Sequence, residues 1–203
     1  MDKLNNLFAN FFSISITLKK ELFRKTIHIS SAFIPFFYFY QRFWVITGLL
    51  LITLIYFASE LLRIKKISLP LISQITEFAA RTRDEGKVIL GPITLVVGIF
   101  LAFTLFDYRT AVIAIFALSF GDGVASLFGK LLGGPKIPLT FGKTFSGSFG
   151  CFFVLFLVYI ASGLNIGEAF TVALFATFIE VFPTGDFDNL LIPVFTGIFM
   201  QQF

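Results

Sequence analysis

The residues best equipped for chemistry in this chain fall in three blocks. The densest runs from Ser119 to Gly150 and carries Asp122 between Gly121 and Gly123, then Gly129-Lys130, Gly133-Gly134-Pro135-Lys136, Gly142-Lys143-Thr144 and Ser146-Gly147-Ser148. Small residues beside Asp122 permit close approach by another backbone or a ligand, and a carboxylate so placed can hold a divalent cation. Downstream, backbone amides freed by glycine can wrap phosphate oxygens together with Lys130, Lys143 and the hydroxyls of Thr144, Ser146 and Ser148. The plainer reading makes Gly129-x-x-x-Gly133 a helix-packing motif and the lysines topological anchors. Gly142-Lys143-Thr144 is not a Walker A loop, because Ile137 stands where that motif needs glycine.

The N-terminal block is Glu21-x-x-Arg24-Lys25-x-x-His28, whose spacing puts all four side chains on one side of a helix. His28 is the sole histidine and is either a proton acceptor or a structural polar group. The C-terminal block, Glu180-x-x-Pro183-x-x-Asp186-x-Asp188-Asn189-x-x-x-Pro193, predicts two helix breaks and carboxylates beside an amide, a composition suited to Mg²⁺. Glu60, Asp122 and Glu180 lie within or against apolar runs. An ionised group there costs several kcal/mol unless it is paired, metal-bound or wet, so each is either a functional candidate or half of an ion pair.

The elements that must position these blocks are set by composition. Of 203 residues 57% are hydrophobic and only 14% charged, against roughly 25% charged in soluble domains. With a mean hydropathy of +0.90, the chain is neither an ordinary soluble domain nor disordered nor collagen-like. Apolar runs fall at about 27–41, 43–62, 88–106, 109–129, 147–163, 168–182 and 189–202. They predict an all-α polytopic membrane bundle of about seven transmembrane helices. Several runs are short, and they contain Pro, Gly and charge, which predicts helices facing a polar cavity. Residues 1–203 are expected to form a single membrane-embedded domain, with 1–18 an amphipathic segment at the interface rather than a signal peptide. Leu69 to Ala80 has the pattern of a further interfacial helix.

With the N-terminus in the cytoplasm, 14 of the 16 basic residues fall inside and only Arg42 and Arg109 outside. That bias predicts a cytoplasm-facing cavity and an outside C-terminus, in the inner or plasma membrane if the source is bacterial. Tyr38, Tyr40, Trp44, Tyr108 and Tyr159 are expected to form an outer aromatic belt. The basic residues are spread between apolar runs rather than gathered on a polar domain, so the pI near 9.3 does not point to nucleic acid. The single cysteine, Cys151, excludes an intramolecular disulfide and reads as a small packed apolar residue.

Together the blocks resemble the CTP-dependent polyprenol kinase family, which includes dolichol kinases, phytol kinases and yeast-type diacylglycerol kinases. The matching elements are Glu21-x-x-Arg24-Lys25-x-x-His28, Glu60 with Arg63, Gly121-Asp122 with Ala125-Ser126, Gly129-Lys130, Gly142-Lys143-Thr144 with Gly147-Ser148, and Glu180 with Asp188-Asn189. Ser146 stands where many relatives carry an acidic residue. Phosphatidate cytidylyltransferases look similar through the Gly-Asp, Gly-Lys and Lys-Thr blocks, but their C-terminal Gly-His-Gly-Gly signature is absent.

The resemblance implies transfer of the γ-phosphoryl group of CTP to the hydroxyl of a membrane lipid, with Mg²⁺ as cofactor and the lipid and nucleotide as partners. It implies Asp122, Glu180 and Asp188 for the metal, and Arg24, Lys25, Gly129, Lys130, Gly142, Lys143, Thr144, Ser146 and Ser148 for nucleotide phosphates. Asp122 or His28 would be the general base, with Glu21, Glu60 and Asn189 in support. Cytidylyl transfer to phosphatidic acid is the alternative, and a transporter a more distant one.

Overall fold

The computed structural model describes residues 19–67, 69–79, 87–140 and 142–203. The expected interfacial segment 1–18 and the charges between 81 and 86 lie outside the described residues. Each apolar run coincides with helix. Residues 19–30 form α1, which passes through a 3-10 turn at Ser31–Phe33 into α2 (Ile34–Tyr40). There follow α3 (Arg42–Ile64), α4 (Pro70–Ala79), α5 (Gly91–Leu105) and α6 (Tyr108–Phe116). A π-helical segment, Ala117–Asp122, joins α6 to α7 (Gly123–Leu132). The remaining helices are α8 (Phe145–Ala161), α9 (Ile166–Val181) and α10 (Asp188–Met200). Among the described residues there is no strand, only an antiparallel bridge pair between Lys136 and Thr144.

Helix boundaries follow local chemistry. Asp107 caps α6 by accepting from the backbone amides of Arg109 (3.0 Å) and Thr110 (3.2 Å). Asn165 and Glu168 form a reciprocal capping box on α9. Gly133, at φ +64°, stops α7 where side chains with a Cβ are strained. Pro183 follows the end of α9, but the second expected break does not occur. Pro193 sits inside α10, and the chain instead bends through 182–187, where Gly185 has φ +72°. Lacking an N–H, Pro193 frees the carbonyl of Asn189. Gly98 packs against that oxygen so closely that a Cβ would stand 2.0 Å away.

The core is made by Ile99, Ala102, Ala111, Ala114, Leu118, Leu155, Val172 and Ile192 from α5, the α6–α7 rod, α8, α9 and α10. Large apolar side chains cover the outside as well. Phe149, Phe153 and Leu157 on α8, and Phe170, Leu174 and Phe178 on α9, form exposed stripes at every fourth position. The intervening segment α4 is inverted relative to a soluble surface helix, with Ser73 and Thr76 buried and Ile75 and Phe78 exposed. Apolar surface this extensive needs a nonaqueous partner. Arg42–Ile64 and the continuous Tyr108–Leu132 rod are long and apolar enough to cross a membrane.

Contacts sort the helix ends into two groups. At one end the Tyr108 hydroxyl donates to Pro35 O (3.0 Å), and Arg109 donates to Gly163 O (3.4 Å). At the other, Arg63 donates to Lys87 O (2.7 Å) and Lys143 to Phe182 O (3.3 Å). Two members of the expected aromatic belt do not fit it. Tyr40, Trp44 and Tyr108 are exposed, whereas Tyr159 is fully buried and Tyr38 stacks on Phe103 with centroids 3.8 Å apart. Their rings fill core space between helices, which outweighs the interfacial preference of tyrosine.

Candidate functional site

The site is built first by α1 lying against the π-helical segment. Lys25 donates to Asp122 Oδ2 at 2.7 Å, and His28 Nδ1 lies 3.3 Å from the same oxygen. Both contacts fall on Oδ2, so Oδ1 carries neither. Ser31 and Ser119 hydroxyls meet at 2.6 Å, and a Cβ on Gly123 would stand 3.0 Å from Ile29 Cγ1, so the two segments are nearly in backbone contact. One turn earlier, Glu21 accepts from the Ser126 hydroxyl (2.5 Å), pairs with Lys130 Nζ (2.9 Å) and contacts the Arg24 guanidinium.

The glycine-rich loop supplies the second wall. It folds back as a hairpin in which Ile137 N donates to Lys143 O (2.8 Å) and Phe145 N to Pro135 O (3.2 Å). Thr144 then caps α8, its hydroxyl accepting from Gly147 N at 3.1 Å. Glycine is required where α7 meets this cap. A Cβ on Gly129 would stand 2.7 Å from Thr144 Oγ1, and one on Gly147 would stand 2.6 Å from Ala125 O. Gly129 is thus a packing residue and Gly133 a helix terminator, which separates the two halves of the expected Gly-x-x-x-Gly motif.

The third wall comes from the end of α9 and the start of α10. Lys143 Nζ lies 3.0 Å from Glu180 and 3.7 Å from Asp188, so one ammonium is shared by two carboxylates. The Thr184 hydroxyl donates to Asp188 and fixes the turn.

These walls enclose a cavity of about 470 Å³. It is lined by four carboxylates (Glu21, Asp122, Glu180, Asp188) and four cations (Arg24, Lys25, Lys130, Lys143), with Gly129, Gly142, Thr144 and Ser148 between them. Ser148 Oγ is buried and has no hydrogen-bond partner. A second crevice of about 90 Å³ adjoins it, and Arg24, Asp122, Gly185 and Asp188 border both. His28 and Asn189 face this crevice alone. Asn189 is held by donating to Gly91 O (3.1 Å) and Thr94 Oγ1 (3.0 Å).

Two expected site residues lie outside both linings. Ser146 donates to Gly133 O and lies 3.1 Å from Thr144 Oγ1, closing the loop behind the cavity wall. Glu60 takes two bonds from Arg63 (2.9 and 2.8 Å) and one from Ile89 N (2.9 Å), tying α3 to the lead-in of α5. Thr76, Pro92, Leu95, Thr140 and Gly185 border the cavities without having been singled out in the sequence. Gly185 alone had a readable signal, a glycine two residues after Pro183 at the end of α9.

Among the described residues no three His, Cys, Asp or Glu side chains are gathered tightly enough to hold a metal unaided. Mg²⁺ does not need such a cage, because it binds through one or two carboxylates together with substrate phosphates and water. Glu180 and Asp188, already sharing one cation, have the donor set for that.

Comparison with known proteins gives a partial relationship. Over 134 residues the chain is 31% identical to the probable phytol kinase 1, chloroplastic, of Oryza sativa subsp. japonica, covering 55% of this chain and 42% of that protein. Over 210 residues it is 25% identical to phytol kinase 1, chloroplastic, of Arabidopsis thaliana, covering 88% of this chain and 65% of that protein. The chain therefore spans about 42% to 65% of the length of these curated relatives. No family model matches the sequence, and no solved structure matches it. What the similarity supports is a distant relationship to kinases of the phytol kinase type.

Proposed function

We propose that this protein is a membrane-embedded lipid kinase that transfers the γ-phosphoryl group of a nucleoside triphosphate, CTP by family resemblance, to the hydroxyl of a prenol-type lipid alcohol. The observation that carries the reading is the convergence of Lys25, Lys130, Lys143, Thr144 and Ser148 with Asp122, Glu180 and Asp188 on one cavity of about 470 Å³. That volume lies within the range of about 300–1,000 Å³ usual for ligand sites. Similarity to the two phytol kinases supports the acceptor class.

Phosphoryl transfer asks mainly for positioning and charge neutralisation. Glu180 and Asp188 would hold Mg²⁺, which would supply positive charge to offset the charge developing on the phosphates. Lys143, which in this structure neutralises those two carboxylates, then faces the phosphates. The start of α8 carries the positive end of a helix dipole, which favours an anion nearby. The orphan hydroxyl of Ser148 is a donor without a partner in the same wall. Chemically, the acceptor oxygen bonds to the γ-phosphorus, the bond to the bridging β–γ oxygen breaks, and the nucleoside diphosphate leaves. The hydroxyl proton passes to Asp122, whose orientation Lys25 and His28 fix.

We further propose seven spans with the cavity toward the cytoplasm and the C-terminus outside, supported by the segregation of basic residues and the exposed apolar stripes on α3, α8 and α9. The deciding experiment incubates purified protein with labelled CTP, Mg²⁺ and a panel of lipid alcohols. A phosphorylated alcohol and CDP are expected. Pyrophosphate and a CDP-lipid formed from phosphatidic acid would instead establish cytidylyl transfer, and no lipid product from any donor would overturn the enzyme reading.

A further inference from the structure

The tip of the hairpin between α7 and α8 carries an apolar side chain that lines neither of the two cavities. Leu139 is 95% exposed and sits at φ +65°, in the left-handed region that a residue with a Cβ adopts only at a cost. Its exposure is built rather than frayed. The next residue, Thr140, is buried and donates through its hydroxyl to Ile137 O (2.7 Å), and the two backbone bonds of the hairpin, from Ile137 N and Phe145 N, hold both strands together. A leucine is thus fixed outward where water offers it nothing, and an apolar neighbour would offset that.

Position and charge say what the neighbour is. The Tyr108–Leu132 rod has 25 residues, which at 1.5 Å each reach about 37 Å, against roughly 30 Å of bilayer hydrocarbon. Its last turn, where Leu131 and Leu132 are exposed, and the hairpin that follows therefore meet a headgroup layer. No Asp or Glu occurs from Gly123 to Gly167, whereas Lys130, Lys136 and Lys143 do. Lys130 and Lys143 are paired with the cavity carboxylates. Lys136 is exposed, lines neither cavity and, among the described residues, has no side-chain partner. The other helix long enough to span, α3, ends in the same way: Ile64, Lys65, Lys66 and Ile67 are all exposed, and Lys66 is again at positive φ, +64°.

We propose that the α7–α8 hairpin is a membrane-surface element, in which Leu139 enters the interfacial layer of the leaflet and the Lys136 ammonium contacts the phosphate of an anionic phospholipid. An apolar tip beside an unpaired cation, with no acid in the connecting chain to repel the surface, matches a negatively charged leaflet in both respects. A second copy of the chain matches less well, because it would have to bring a carboxylate to Lys136 from an end of the bundle where both spanning helices finish in lysine. The proposal rests on the membrane reading of the chain and not on the kinase reading.

The test uses the full-length protein carrying Leu139→Cys, labelled there with an environment-sensitive fluorophore; Cys151 is buried and is left in place. It is reconstituted into vesicles of phosphatidylcholine alone or with one-quarter phosphatidylglycerol, and emission is read with and without a lipid nitroxide-labelled near its headgroup. Blue-shifted emission and quenching by the nitroxide are expected, both stronger in the mixed vesicles. Adding Lys136→Gln should lower the docked-to-undocked ratio in the mixed vesicles about fivefold, the scale of one lysine's attraction to an anionic surface, and leave it unchanged in phosphatidylcholine. High salt should act like the substitution. Water-like emission in both vesicles would overturn the proposal, and so would blue-shifted emission without lipid quenching, which would mean that protein, such as a second copy, covers the tip. Lipid quenching indifferent to both phosphatidylglycerol and Lys136→Gln would overturn the assignment of Lys136 to anionic headgroups. None of these readouts involves phosphoryl transfer, so each outcome leaves the kinase reading to its own experiment.

Discussion

Lys25 Nζ reaches Asp122 Oδ2 at 2.7 Å across 97 positions of sequence, with the lysine side chain 4% exposed and the aspartate 17%. The pair joins the first helix to the π-helical segment, so one contact both locks the bundle and aims the carboxylate that borders both cavities. Its two roles are separable.

Lys25→Met should cost about 1–3 kcal/mol, because it leaves the part-buried Asp122 carboxylate with His28 as its remaining neighbour on that oxygen. Adding Asp122→Asn to that variant should recover much of the thermal stability and none of the activity. Asp122→Asn alone should insert normally and lose at least about 100-fold in turnover, as loss of a main electrostatic contact does. Thermal unfolding in detergent together with lipid phosphorylation checks all three; near-normal turnover of Asp122→Asn would remove this residue from the chemistry.

Lys143 separates a phosphate contact from a topological anchor. If it only fixed orientation, Lys143→Arg would be neutral, since either side chain supplies the charge that the inside rule counts. In the structure its ammonium is fitted between Glu180, Asp188 and Phe182 O, a point-charge position that a larger planar guanidinium fills poorly. Lys143→Arg should therefore insert normally and raise the nucleotide KM or slow turnover. Wild-type kinetics would return Lys143 to an anchoring role.

Orientation can be read with cysteines placed at Lys136 and at Asp186 on a Cys151→Ala background. Both should react with a membrane-impermeant thiol reagent from the cytoplasmic side alone. Cys151 is fully buried, so the unsubstituted protein should label only after unfolding. Labelling of either introduced site from outside would refute a shared cytoplasmic cavity.

At the far end, Asp107→Ala should cost about 1 kcal/mol through loss of the α6 cap, and Asp107→Asn much less, since asparagine caps almost as well. The Thr110 hydroxyl (2.6 Å) and two backbone amides hold the Asp107 carboxyl below its ordinary value of 3.8. A depressed carboxyl contributes stability that is complete above 3.8 and is lost as pH falls through the lower folded-state value. The difference in unfolding temperature between wild type and Asp107→Asn should accordingly be flat near neutrality and change only in acid; a change centred near pH 7 would mean another group is responsible.

Much of this was legible because bilayer solvation writes itself into composition. Among the described residues the apolar runs coincide with helices, and charge spacing in 21–28 puts Glu21, Arg24, Lys25 and His28 on one side of a helix, where all four border the two cavities. What escaped was long-range. Nothing local to Thr76, Pro92 or Leu95 marks them as neighbours of Asp122, because that proximity is created by α4 and α5 packing near α1. Glu60 reads from sequence either as a site residue or as half of an ion pair, and the second reading describes it: Arg63, three residues on, meets its cost, with the Ile89 amide as the partner that sequence does not show. Pro193 misled as a helix break because its freed carbonyl is accommodated by Gly98, a residue from a different helix.

The π-helical segment at Ala117–Asp122 gives the Tyr108–Leu132 rod a slip in helical phase. An unbroken α-helix would keep one stripe facing one set of neighbours along its length. Here α6 packs on α5 and α10, whereas α7 packs on α8, so the two halves answer to different partners. The wide turn is the joint between these allegiances, and Asp122 is its last residue. The carboxylate thus stands where a single rod stops belonging to the inert half of the bundle and starts belonging to the half that holds the charges.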